Sequence, residues 1–106
     1  MPKYLIQGNY GAEGTKGLIK EGGSSRRAAV EEATRNVGGK VEAFYYAFGE
    51  TDVFVIADLP DNITAAALSM SVNASGAVAV KATALLTVED VDEASKKTLN
   101  YRAPGK

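Results

Sequence analysis

Apolar residues alternate with other types along four stretches of the chain and recur at helical spacing along three more. The first strand reads as residues 3–10, KYLIQGNY, with Tyr4, Ile6 and Tyr10 on one face and Leu5, Gln7 and Asn9 on the other. Two further strands, 40–48 (KVEAFYYAF) and 52–59 (DVFVIADL), flank the polar turn Gly49-Glu50-Thr51-Asp52 and form an antiparallel hairpin. Strict alternation puts Val41, Ala43, Tyr45 and Ala47 opposite Glu42, Phe44, Tyr46 and Phe48, and Val53, Val55, Ala57 and Leu59 opposite Phe54, Ile56 and Asp58. The fourth strand is 77–86, AVAVKATALL, an apolar run interrupted by Lys81.

Helical spacing places one helix from a Ser24 or Ser25 cap to about Val37, with the stripe Ala29, Val30, Ala33 and Val37. Gly38-Gly39 ends it. A second helix starts at an Asp61 or Asn62 cap and runs from Ile63 to about Ala74, with Ala65, Leu68 and Val72 on one face and Ile63, Ala67, Met70 and Ala74 widening the apolar arc. A third opens at Thr87, with Glu89 and Asp90 suiting the helix dipole and Lys96-Lys97 at its close. The glycine-rich stretch 11–23 fits no phosphate-binding fingerprint and leaves room for a short turn of helix around Thr15–Lys20.

The resulting order is β-α-β-β-α-β plus a terminal helix. It predicts a single α+β domain spanning residues 1–106, with a core over about 3–98 and an extended tail over 99–106. This is the split-βαβ, ferredoxin-like pattern: a four-stranded antiparallel sheet with helices on one face. The hairpin strands are apolar on both faces, and one helical layer covers only one of them. The uncovered face predicts a homodimer packed sheet to sheet around Phe44, Tyr46, Phe54 and Ile56, with higher oligomers allowed.

Composition narrows the chemistry. The 106 residues carry a formal net charge of −1 with no cysteine and no histidine. Disulfides, thiolate nucleophiles, imidazole catalysis and the usual zinc or haem ligands are excluded, so no metal and no cofactor is expected. Interspersed charges argue against a nucleic-acid partner, and no apolar run has membrane-spanning length. Met1-Pro2-Lys3 leads straight into a strand, so no signal peptide is expected and the cytoplasm is the default compartment.

Five side chains stand out as candidate ligand-binding groups: Tyr10, Tyr46, Asp52, Asn73 and Lys81. Asp52 is read first as a turn residue satisfying its own backbone, and second as an acid delivered to a cleft at the strand end. Tyr45 and Tyr46 point to opposite faces, and a buried phenol needs a partner. Lys81 must pair or snorkel, or else it protects an edge strand. Asn73 projects into a cleft or faces water. Gln7 and Asn9 line a polar site or belong to a solvated face. Arg26-Arg27 lies in a first helical turn, where the dipole disfavours cations; solvated surface is the favoured reading, and an anion or carboxylate seat is the other.

The segments KYLIQGNY, EGGSSRRAAVEEA, VEAFYYAFGETDVFVIADLPD and ALSMSVNASGAVAVKATALLT resemble the GYD-domain family across residues 3–88. At the hairpin the family carries a glycine, one intervening residue, then tyrosine-aspartate; the matching positions are Gly49, Thr51 and Asp52, so Thr51 stands where the family has its ring. The resemblance implies a dimeric α+β barrel, a group of cofactor-free monooxygenases, haem-degrading enzymes, isomerases and sensor domains. It implies no particular reaction. The expectation is a homodimeric module binding a small organic ligand; the alternatives are a cofactor-independent monooxygenase- or isomerase-like enzyme and a purely structural oligomer.

Overall fold

The computed structural model describes residues 1–106. Its elements run β1 (Lys3–Tyr10), α1 (Ala12–Glu21), α2 (Gly23–Asn36), β2 (Lys40–Tyr46), β3 (Val53–Asp58), α3 (Asn62–Ala74), β4 (Val78–Leu85) and α4 (Val88–Ser95). The four strands form one antiparallel sheet in the order β2-β3-β1-β4, as a ferredoxin-like fold requires.

One side of this sheet is covered. Tyr4, Val53, Val55, Ala57 and Leu59 are buried there together with Ala65 of α3, and Ile6, Tyr10, Val41, Phe44 and Leu68 pack around them. The Tyr4 hydroxyl ends at the side-chain oxygen of Asn62, which ties the first strand to the start of α3. Asp61 caps that helix by accepting the Thr64 N–H at 2.8 Å, and this bond holds its carboxyl below the ordinary value. Helix α2 lies on the β2 side of the sheet and α3 on the β4 side.

Strict alternation fails in β2. A bulge between Val41 and Ala43 sets two residues against Ile56, so Val41 pairs with Ala57, Ala43 with Ile56 and Phe44 with Val55. Val41, Phe44 and Tyr46 therefore share the helix side, and Ala43 and Tyr45 the other. The uncovered face is thus built from Leu5, Ala43, Tyr45, Phe54 and Ile56, without the Phe44 and Tyr46 that alternation alone assigns to it. At one end Lys3 bridges Asp58 at 2.9 Å and Glu42 at 3.1 Å. These bonds, Asp58 first, push its amine above the ordinary value.

The glycine-rich stretch also differs from expectation. It folds as the ten-residue helix α1, with Gly14 where a Cβ would run into the backbone carbonyl of Ala77. Gly22 separates α1 from α2 at φ 84°, donating its N–H to the Leu18 carbonyl and accepting the Arg26 N–H. That left-handed residue is why α2 starts at Gly23 with no side-chain cap, leaving Ser24 and Ser25 inside its first turn. On α3, Ala65, Leu68 and Val72 turn inward as expected, while Ile63, Ala67, Met70 and Ala74 remain exposed. α4 begins with a complete capping box between Thr87 and Asp90. No helix is long and apolar enough to cross a membrane.

Candidate functional site

The small side chains of α2 decide what lies between the helices. Ala29, Val30 and Ala33 face Leu68 and Val72 across the sheet, and they are too short to meet them. The gap is an apolar cavity of about 220 Å³, open to solvent beside the exposed Ala29 and Ala33, whose floor includes Ile6, Phe44, Val53, Val55 and Val80. Four polar residues reach its lining: Tyr10, Arg26, Thr34 and Ser69. Thr34 is spent internally, donating its hydroxyl to the Val30 carbonyl at 2.7 Å.

Arg26 is half-buried, lines the cavity and an adjoining cleft beneath α1, and forms no ion pair. Its neighbour Arg27 is exposed. The two arginines thus part company: one belongs to the surface, and the other is a cation without an ion pair, set between the apolar cavity and a cleft that also holds Glu13 and Glu21. The sequence signal for Arg26 is the cation misplaced in a first helical turn.

Tyr10 and Tyr46 lie at the same end. The Tyr46 hydroxyl donates to the Gly23 carbonyl at 3.0 Å, and its ring stands edge-on to Phe44 with centroids 5.2 Å apart. Burial pushes this phenol above its ordinary value, Tyr10 adds to the rise, and Arg26 and Arg27 oppose it.

Asp52 is bonded to the backbone. Its carboxylate accepts the Tyr10 N–H at 3.0 Å, while its own N–H reaches the Gly8 carbonyl and the Asn9 side chain. The residue splices the hairpin turn onto the end of β1 and so positions Tyr10. Asp52→Asn keeps an oxygen acceptor and is expected to cost less than about 1 kcal/mol. Asp52→Ala strands a part-buried N–H and is expected to cost about 1–2 kcal/mol. Urea unfolding of the two variants measures the difference.

The remaining candidates lie elsewhere. Asn73 uses its amide as a peptide mimic, accepting the Val80 N–H at 2.7 Å and donating to the Val80 carbonyl at 3.1 Å. It thereby covers part of the exposed edge of β4. Lys81 is exposed on the opposite, uncovered face, beside Gln7, Asn9, Glu50 and Thr51. The structure thus gathers Tyr10, Tyr46 and Asp52 at one end of the sheet and separates Asn73 and Lys81 from them. No three acidic side chains lie close enough together to hold a metal ion.

No curated protein and no solved structure matches the chain. The family model for the GYD domain matches residues 4–95, which takes in the sheet, the cavity and α4, and the chain belongs to the GYD-domain family.

Proposed function

We propose that the protein is a homodimeric module that binds a small apolar carboxylate in the cavity between α2, α3 and the sheet. The observation that carries this reading is Arg26, a half-buried guanidinium without an ion-pair partner at the wall of an otherwise apolar cavity. A guanidinium in such a place favours a carboxylate, which it can meet with two parallel hydrogen bonds. Size narrows the class further. An apolar cavity of about 150 Å³ accepts benzene. A space of about 220 Å³ therefore suits one ring with a short acidic substituent, or an alkyl acid of similar bulk.

Binding is favoured over catalysis by the phenols. A base must release its proton near the working pH, and Tyr46 is shifted the other way. Its hydroxyl is already engaged as a donor to the Gly23 carbonyl. A purely structural oligomer is disfavoured by the unfilled cavity itself. The dimer half of the proposal is supported by the uncovered sheet face and by a small core, since only eight of 106 residues are buried in one chain.

The test compares benzoate with benzamide as probes, titrated into the protein and followed by the methyl resonances of Val30 and Leu68. Benzoate is expected to bind more tightly. Arg26→Met is expected to weaken it more than tenfold, about 1.4 kcal/mol, and Ala33→Phe to abolish binding by filling the space. Equal affinity for the neutral amide would remove the anion from this reading.

A further inference from the structure

The chain beyond β4 has no packing partner within its own protomer. Leu86 is 71% exposed, Val88 74%, Val91 52%, Leu99 81% and Tyr101 77%. The molecule is 56 Å long, although an eight-residue strand spans only about 27 Å. Its radius of gyration is 16.9 Å, where a compact domain of this length has about 13 Å. Residues 86–106 therefore stand off the body as an arm.

An arm of this kind does not hold its shape unaided. α4 is eight residues long, well short of the roughly 12–15 that an isolated helix needs to be even marginal in water. Its capping box helps the first turn, and Leu86 and Val91 occupy the positions of a hydrophobic staple, yet both stay exposed. What is missing is an apolar surface to pack on.

We infer that residues Leu86–Tyr101 form an exchange arm that packs on a second copy of this chain. Two observations choose that occupant. The first is continuity: β4 ends at Leu85, which pairs with Lys3 on the rim of the uncovered sheet face. The arm thus leaves its own protomer at the border of the surface proposed to meet the other copy. The second is charge. α4 bears Glu89, Asp90, Asp92 and Glu93 with no base and no ion pair, and with Lys96 and Lys97 the whole of Leu86–Tyr101 keeps a net charge of −2. The uncovered face bears Lys40 and Lys81, both exposed and without an ion pair, flanking its apolar centre; the acid it also carries, Asp58, lies opposite Lys40 and is already bridged by Lys3. In a two-fold dimer each arm brings its acids to the other copy's lysines while burying Val88, Val91 and Tyr101.

This inference rests on the sheet-to-sheet reading, and the test separates the two. The chain has no tryptophan, so the full-length Tyr101→Trp variant carries a single reporter. Its emission is expected to shift to the blue as concentration rises, tracking the increase in mass seen by light scattering. Val91→Glu in the full chain is expected to weaken dimerisation more than tenfold with an unchanged circular dichroism spectrum of the body. A dimer with water-like tryptophan emission, or one indifferent to Val91→Glu, overturns the arm and leaves the sheet interface standing. A blue shift that persists in a sample shown by light scattering to be monomeric also overturns it, because the arm then folds on its own protomer. A monomer at every concentration overturns both.

Discussion

Phe54→Glu is expected to turn the proposed sheet-to-sheet dimer into monomers while leaving each monomer folded. Phe54 lies in the middle of the uncovered face, opposite Gln7 on β1 and Tyr45 on β2. Within one protomer its side chain is on the opposite side of β3 from the buried Val53 and Val55. The substitution therefore places a carboxylate on a half-exposed surface and opens no hole in the core. At a two-fold interface the change is made twice. Each copy forfeits the burial of an aromatic ring, about 1.5–3 kcal/mol, and each carboxylate must lose water without a partner. A combined loss above about 3 kcal/mol raises the dimer dissociation constant by more than a hundredfold. Light scattering across a dilution series reads this directly, and circular dichroism verifies the monomer. A Phe54→Glu protein that still dimerises at wild-type affinity would refute packing through this face.

The second large effect belongs to Gly39. Gly38 and Gly39 both follow α2, but they are glycine for different reasons. Gly38 has φ 84° and donates its N–H to Arg35, so it is the left-handed helix stop. Gly39 has no such angle; a Cβ placed there would collide with the Asp58 carbonyl and come within 2.8 Å of Leu59 Cδ2. Leu59 is fully buried and the carbonyl belongs to the backbone, so neither can step aside. Gly39→Ala is expected to destabilise the protein by about 2–4 kcal/mol through overpacking where β2 enters the sheet. Gly49→Ala is the contrast: Gly49 has no positive φ, and a Cβ added there would meet nothing within 4 Å, so less than about 0.5 kcal/mol is expected. Thermal unfolding of the pair distinguishes a glycine required by close approach from one that is merely in a turn.

These two glycines show how far local pattern carries. Gly49 sits in the hairpin turn and invites the reading of a positive φ, yet the loop it belongs to is long enough to avoid one. Gly39 resembles an extra helix stop, yet its constraint comes from a strand nineteen residues further along the chain. Neither distinction is local.

Much of the architecture was nevertheless written in the periodicity. β3 follows strict alternation, with Val53, Val55 and Ala57 buried and Phe54, Ile56 and Asp58 outside, because a central strand paired on both sides has no freedom to slip. The inward face of α3, a cap at Asp61 or Asn62 and a helix start at Thr87 were legible because each rests on residues three or four apart; the structure selects Asp61 and completes a Thr87–Asp90 capping box. Tertiary packing decided the rest. One inserted residue at the β2 bulge moves Phe44 and Tyr46 to the helix side, and alternation cannot register an insertion made by strand pairing. Five glycines between 11 and 23 weaken any helix on propensity, yet α1 and α2 form because Gly14 and Gly22 allow a close approach and a left-handed turn. Asp52 and Asn73 were visible as polar residues, but their partners are forty-two and seven residues away, so their work as backbone splints was not. The cavity is the clearest case. Its alanines and valines read as ordinary helix and strand interior, and only the separation of α2 from α3 leaves them facing an unfilled space with Arg26 at its wall. Short-range pattern dictates which residues face inward; whether the inward-facing side chains are long enough to meet is set by the distance between elements, and that distance exists only in three dimensions.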